Sequence, residues 1–197
     1  GTIWSVPNAG IEASAAPVLG DFTGNFHLDV FSVLARGSAP SFFDYYQVMI
    51  DGATGQIMWK DSISDLHFAS ANAVDLDLNG RDEAIITVNF HTGTHFEHQL
   101  MSIDFQNDIV QNIDLAQGGV NLGSTPLVQD IDSNGFIDIV YAHRADSVNP
   151  MGQNGFDVHR IELASEVPGL GIAWGGYTGT LHDGHYYADT SVCPGFS

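Results

Sequence analysis

Asp130-Ile131-Asp132-Ser133-Asn134-Gly135-Phe136-Ile137-Asp138 puts an oxygen-bearing side chain at every second position, then a glycine, then a closing acid. Two other stretches align with it: Asp75-Leu-Asp-Leu-Asn-Gly-Arg-Asp-Glu83 and Asp21-Phe-Thr-Gly-Asn-Phe-His-Leu-Asp29. The three begin 54 and 55 residues apart. A constant period over most of a chain marks repeated structural units.

The flanks repeat as well. Small and apolar residues precede each loop: Ala16-Pro17-Val18-Leu19, Ala71-Asn72-Ala73-Val74 and Thr125-Pro126-Leu127-Val128. A β-branched or aromatic run follows each: Val30-Phe31-Ser32-Val33, Ala84-Ile85-Ile86-Thr87-Val88 and Ile139-Val140-Tyr141. These runs predict strands. A further strand is expected at 45–50, 98–103 and 156–161. The turn Asp51-Gly-Ala-Thr-Gly55 leads to another at Gln56-Ile57-Met58-Trp59, and Gln106-Asn107-Asp108 leads to one at 109–113. No stretch has a helical period, so the predicted class is all-β.

Four short antiparallel strands per unit, at a period near 50, are the pattern of a β-propeller blade. A β-sandwich explains neither the period nor the repeated loop. Residues 1–197 then form one propeller region, with units at 12–65, 66–119 and 120–175 and a closing segment or tail at 176–197. Gly1-Thr2-Ile3-Trp4 resembles Gly55-Gln56-Ile57-Met58-Trp59 and is expected to be the outer strand of a preceding blade. About three blades fall short of the 4 that usually close a ring. Either the chain is a fragment completed by other polypeptide, or Ile172 to Tyr186 forms an irregular closing blade.

The loops suit a hard cation. Calcium takes six to eight oxygens. Loop three offers Asp130, Asp132, Asn134 and Asp138, with Gly135 for the sharp turn. Loop two offers Asp75, Asp77, Asn79 and Glu83 around Gly80, and loop one offers Asp21, Thr23, Asn25 and Asp29. Asp, Asn and Gly also suit turns without metal. Three loops in register favour the cation, with calcium as the cofactor. Loop one, with two carboxylates and Phe26 in the glycine position, is expected to bind it most weakly. The pattern resembles the start of an EF-hand loop, but strands flank it and the acid at position 12 is missing.

The chain has 24 acidic residues against 5 Lys and Arg, a formal net charge of -19. That excludes nucleic acid and anionic membrane surfaces as partners, since both need basic residues. No apolar run is long enough to span a bilayer. Cys193, the one cysteine, cannot form an internal disulfide.

Asp-x-Asp-x-Asn-Gly-x-x-Asp after an apolar strand resembles the FG-GAP/VCBS repeat of integrin-like propellers, over nearly the whole chain. The resemblance implies calcium in the blade loops of an extracellular or cell-surface protein that adheres or binds a glycan or protein ligand. Phe26 departs from the motif, and the Phe-Gly and Gly-Ala-Pro signatures are not clean. Asn79-Gly-Arg-Asp-Glu-Ala84 is also similar to loops of rhamnogalacturonan lyases. Trp174-Gly-Gly-Tyr177 to Asp183-Gly-His-Tyr186 is similar to the terminal segment of many secreted bacterial repeat proteins. Weak loops fill only where calcium is abundant, which agrees with a secreted location.

Other chemistry is sparse. His91, His95 and His98 crowd one segment with Glu97, but His95 and His98 are expected on opposite faces of a strand. His182 and His185 flank Asp183-Gly184. No nucleophile elbow, phosphate loop or dinucleotide fingerprint is present. An acidic chain offers many carboxylate pairs of the kind glycosidases use, and none is singled out. A lyase needs a base beside a cation, and the basic residues Arg36, Lys60, Arg81, Arg144 and Arg160 are scattered. Phe42, Phe43, Tyr45 and Tyr46 are expected to pack between blades more than to stack on sugars. The sequence thus favours a calcium-stabilised binding or adhesion module over a polysaccharide lyase or a structural subunit of a surface or filament assembly.

Overall fold

The computed structural model describes residues 2–186 apart from 8–10, 14, 39, 40, 153, 183 and 185. These residues contain 13 strands in three antiparallel sheets and no helix, so the class is all-β. Cys193, Asp183 and His185 lie outside the described residues.

The first sheet contains β2 (Val18–Gly20), β3 (Asp29–Ser38), β4 (Ser41–Ile50) and β5 (Ile57–Asp61), each paired with the next. The second repeats this meander with β6 (Asn72–Val74), β7 (Glu83–His91), β8 (Phe96–Asp104) and β9 (Ile109–Asn112). Each sheet gains one unforeseen strand. β1 (Ile11–Ala13) pairs with the far half of β3, beyond the reach of short β2, and β10 (Gln117–Gly118) pairs with the start of β8.

The third sheet holds three strands: β11 (Leu127–Gln129), β12 (Phe136–Arg144) and β13 (Phe156–Glu166). The expected fourth strand is replaced by a return of the chain, in which Val167 N–H donates to the Gly135 carbonyl at 3.0 Å. Pro168 and Gly169 follow, lacking respectively a ladder donor and a side chain to pack.

Residues 2–7 are likewise not the expected strand. Trp4 instead caps the β4–β5 turn, donating its indole N–H to the Gly52 carbonyl at 2.8 Å. That turn in turn docks on loop one, where Gly52 N–H donates to Asp29 Oδ1 at 3.0 Å. Gly52 is required because an added Cβ would collide with the Leu28 carbonyl.

Burial falls across the second sheet. β6 is buried throughout, β7 nearly so, β8 alternates, and β9 is mostly exposed. The period of two explains the continuous apolar run of β7. Ala84, Ile86 and Val88 face the core shared with sheet one, which holds Val18, Phe31 and Val33. Ile85 faces the core shared with sheet three, beside Val128, Ile137 and Ile139.

Residues 172–175 tie these cores together. Trp174 forms an antiparallel bridge with Ala73 of β6, and Gly175 O accepts Val128 N–H of β11 at 2.6 Å. Trp174 packs in the first core and Ile172 in the second.

Candidate metal loops

The three acidic loops connect β2 to β3, β6 to β7, and β11 to β12, and they share one hydrogen-bond skeleton. The first carboxylate accepts the N–H groups of positions five and six: Asp21 from Asn25 and Phe26 (both 3.0 Å), Asp75 from Asn79 and Gly80 (3.0 and 2.8 Å), Asp130 from Asn134 and Gly135 (3.1 and 2.9 Å). The Asn side-chain oxygen at position five accepts the N–H of position seven in all three, from His27, Arg81 and Phe136. The closing acid reaches back to the loop start, accepting from Thr23 in loop one, Leu76 in loop two and Ile131 in loop three.

The backbone repeats too. Positions four and six are left-handed in every loop: Gly24 and Phe26, Leu78 and Gly80, Ser133 and Gly135, with φ between 61° and 91°. Loop one satisfies this with its glycine at four and Phe26 at six. A left-handed non-glycine residue costs about 1–2 kcal/mol, of which glycine's greater freedom in the unfolded chain offsets part. Phe26 is 94% exposed, so little packing opposes the change. Phe26→Gly is therefore expected to raise stability by about 0.5–1 kcal/mol in thermal unfolding. An unchanged or lower midpoint would show that the ring contributes packing.

Each donor set fits a cation by a different observation. In loop two, one carboxylate oxygen each of Asp75, Asp77 and Glu83 lie within 4.8 Å of one another. Burial pushes the Glu83 carboxyl up to about 8, with Asp77, Asp75 and Asp104 adding to the shift. Asp75 is raised as well, by burial against the opposing Gly80 and Asn79 hydrogen bonds. In loop three, Asp130, Asp132 and Asp138 converge equally closely. There a guanidinium provides the positive charge. Arg160 donates to Asp138 at 2.9 and 3.0 Å and to Asp132 at 2.6 Å, and it holds the Asp138 carboxyl below its ordinary range. In loop one the hydroxyl of Thr23, at the third loop position, is buried with no hydrogen-bond partner.

Loops one and two are also strapped together. Asp82 accepts Asp21 N–H at 2.8 Å, and its own N–H donates to the Asp21 carbonyl at 3.1 Å. Burial pushes the Asp82 carboxyl up to about 6, aided by Asp75, Asp21 and Asp29. Burial, with Asp82 and Asp21 nearby, pushes the Tyr186 hydroxyl well above its ordinary range. A cleft of about 600 Å³ opens here, lined by Asp21, Leu28, Asp75, Asp82, Leu170 and Tyr186. Asp82 is not among the residues that the loop pattern singles out; its signal is the extra acid before Glu83 in Asn79-Gly-Arg-Asp-Glu83. Arg160 had none, because it reaches Asp138 as the diagonal neighbour of the Asp138–Glu162 cross-strand pair.

The histidines of 91–98 do not converge. The His91 ring packs on Phe96, and His95 Nδ1 lies 3.0 Å from the hydroxyls of Thr92 and Thr94. His98 is buried on the other side, against Tyr141 and His143. His182 Nδ1 donates to the Tyr177 carbonyl at 3.0 Å. Among the basic residues, Arg36 pairs with Asp44, Lys60 sits over the Tyr46 ring, and the Arg81 side chain lies across Gly24. Tyr45 is buried against Phe68, while Phe43 is half exposed. Neither a protein-family profile nor a curated protein sequence matches this chain.

Proposed function

We propose that the chain is a calcium-binding β-propeller module acting outside the cell or at its surface, in adhesion or in binding a glycan or protein ligand. The observation that carries this reading is the common form of the three loops, one hydrogen-bond skeleton and one pair of left-handed positions built from different residues. The repeated four-strand meander of sheets one and two supports the propeller, as does the FG-GAP/VCBS resemblance. Asp21, Thr23, Asn25 and Asp29 would hold the ion in loop one, Asp75, Asp77, Asn79 and Glu83 in loop two, and Asp130, Asp132, Asn134 and Asp138 in loop three. Oxygen-only donors of this kind suit calcium over the softer metals. Bound calcium is structural here, fixing each turn between consecutive strands.

Exposed Phe26, Leu28 and Leu78 crown the loop tips beside the cleft, an apolar patch of the kind ligand-binding surfaces present. A second reading, a structural subunit, is favoured by β13. Among the described residues this 11-residue strand has no outer partner, so a further strand of the parent protein or a neighbour can add to it.

Calcium titration of the chelator-treated protein tests the metal assignment. Loop two, with three carboxylates and no guanidinium bonded to them, is expected to fill first and loop one last. Glu83→Gln should abolish the tightest site. Arg160→Gln should raise loop-three affinity by about tenfold by removing the competing charge. No calcium uptake, or a tightest site indifferent to Glu83→Gln, would sink the assignment.

A further inference from the structure

β12 and β13 pair with Tyr141 opposite His159 and His143 opposite Asp157. Opposed residues of an antiparallel pair share a face, as do residues two apart on a strand. One side of the hairpin therefore gathers Tyr141, His143, Asp157 and His159, while Arg160 and Asp138 occupy the other. One ligand atom each of His143, Asp157 and His159 lie within 4.8 Å of one another. The two Nε2 atoms are 3.0 Å apart, close to the spacing of about 3.3 Å for two nitrogens on one tetrahedral zinc.

The surroundings fix these rings. His143 Nδ1 lies 3.1 Å from the Arg144 carbonyl oxygen, which can only accept, so Nδ1 carries the proton and Nε2 the lone pair. A backbone carbonyl in that role is the usual outer support of a metal-bound histidine. Gly119 closes the chain over this side, where a Cβ would lie 2.7 Å from His143 Nδ1. Nδ1 is thereby walled off, leaving Nε2 to face a ligand. The Arg144 guanidinium is turned away, onto the carbonyls of Pro150 and Gly152.

A second, independent observation comes from β8. His98 is fully buried, its ring centroid is 5.1 Å from that of His143 with the planes 16° apart, and neither of its ring nitrogens has a hydrogen-bond partner. Buried polar nitrogens are nearly always partnered, so an orphan imidazole stacked on His143 points to a ligand at this place.

We propose that His143, Asp157 and His159 form a binding site for a borderline divalent transition metal, zinc by its geometry, bordered by the unpartnered His98 ring. Two imidazoles and one carboxylate suit zinc, whereas the oxygen-only loops suit calcium, so one chain carries two chemically distinct metal classes. The three ligands lie on sheet three where it meets His98 of sheet two, and zinc there would clamp β12 to β13.

Zinc titration of the chelator-treated protein in excess calcium tests this, since calcium silences the acidic loops. The expected result is one zinc per chain, and cobalt(II) in its place should give the strong visible absorption of tetrahedral coordination. Changes to outer-shell partners already weaken zinc by about 10–100-fold, so the double variant His143→Gln, His159→Gln should lose more than about a hundredfold. Should that variant fail to fold, Asp157→Asn on the exposed third ligand should still weaken binding by about tenfold. No zinc uptake in excess calcium, or the same affinity in the folded variants, overturns the proposal.

Discussion

Calcium at a hundredfold excess over the dissociation constants of all three loops is expected to raise the melting temperature of the chelator-treated protein by roughly 15–30 °C. Each site saturated to that degree contributes about 2.7 kcal/mol, and a chain of this size gains roughly 2–4 °C per kcal/mol. The gain should grow with pH. The Glu83 carboxyl ionises near 8 in the folded protein and at about 4.3 in an unfolded chain. Between those values the folded state holds the extra proton, so metal-free stability falls as pH rises through the window. Buried His67 and His98, pushed down to about 3 by burial, act in the opposite sense, but only below their ordinary 6.5. From 6.5 to 8 the carboxyl therefore dominates, and the metal-free protein should lose about 1–2 kcal/mol. Calcium held by the ionised form would cancel that loss. Thermal melts across this range, with and without calcium and in Glu83→Gln, check it. A calcium effect that shrinks with rising pH would contradict the role given to Glu83.

Trp174→Ala should cost about 3–5 kcal/mol, the range for deleting a large buried aromatic. Trp174 is 5% exposed and packs in the core between sheets one and two. Its backbone bridges Ala73 in both directions, at 3.1 and 3.3 Å. Total stabilities are about 5–15 kcal/mol, so the variant would lose a large share. Trp174→Phe should recover most of it. Denaturant unfolding measures both, and a loss under about 1 kcal/mol for the alanine variant would mean that 172–175 packs loosely in solution.

Much of this architecture was legible because it is written locally. Alternating apolar residues in β8 and the continuous run in β7 announce one-sided and two-sided burial. Asp, Asn and Gly at fixed offsets announce the loop turns. Phe26 stands at the glycine position, but each loop has two left-handed positions, and the glycine of loop one serves the other. What stayed hidden depends on partners distant in the chain. Arg160 meets Asp138 only through the β12–β13 register. His143 and His159 are 16 residues apart and become neighbours the same way. Trp4 mimicked the strand entry at Trp59, yet its indole found the Gly52 carbonyl instead, 48 residues away. Two-residue β10 has too few side chains to carry any period.

The bridge from Trp174 to Ala73 joins residues about a hundred positions apart, and it sets a schedule for biogenesis. Contacts so remote in the chain are made late, since a long loop must close before they form. During synthesis, sheet two emerges well before the segment that bridges its inner strand, and until it arrives β6 keeps a bare flank. Nascent chains held short of residue 172 should accordingly be open to proteases and chaperones, and release past 175 should bring abrupt protection.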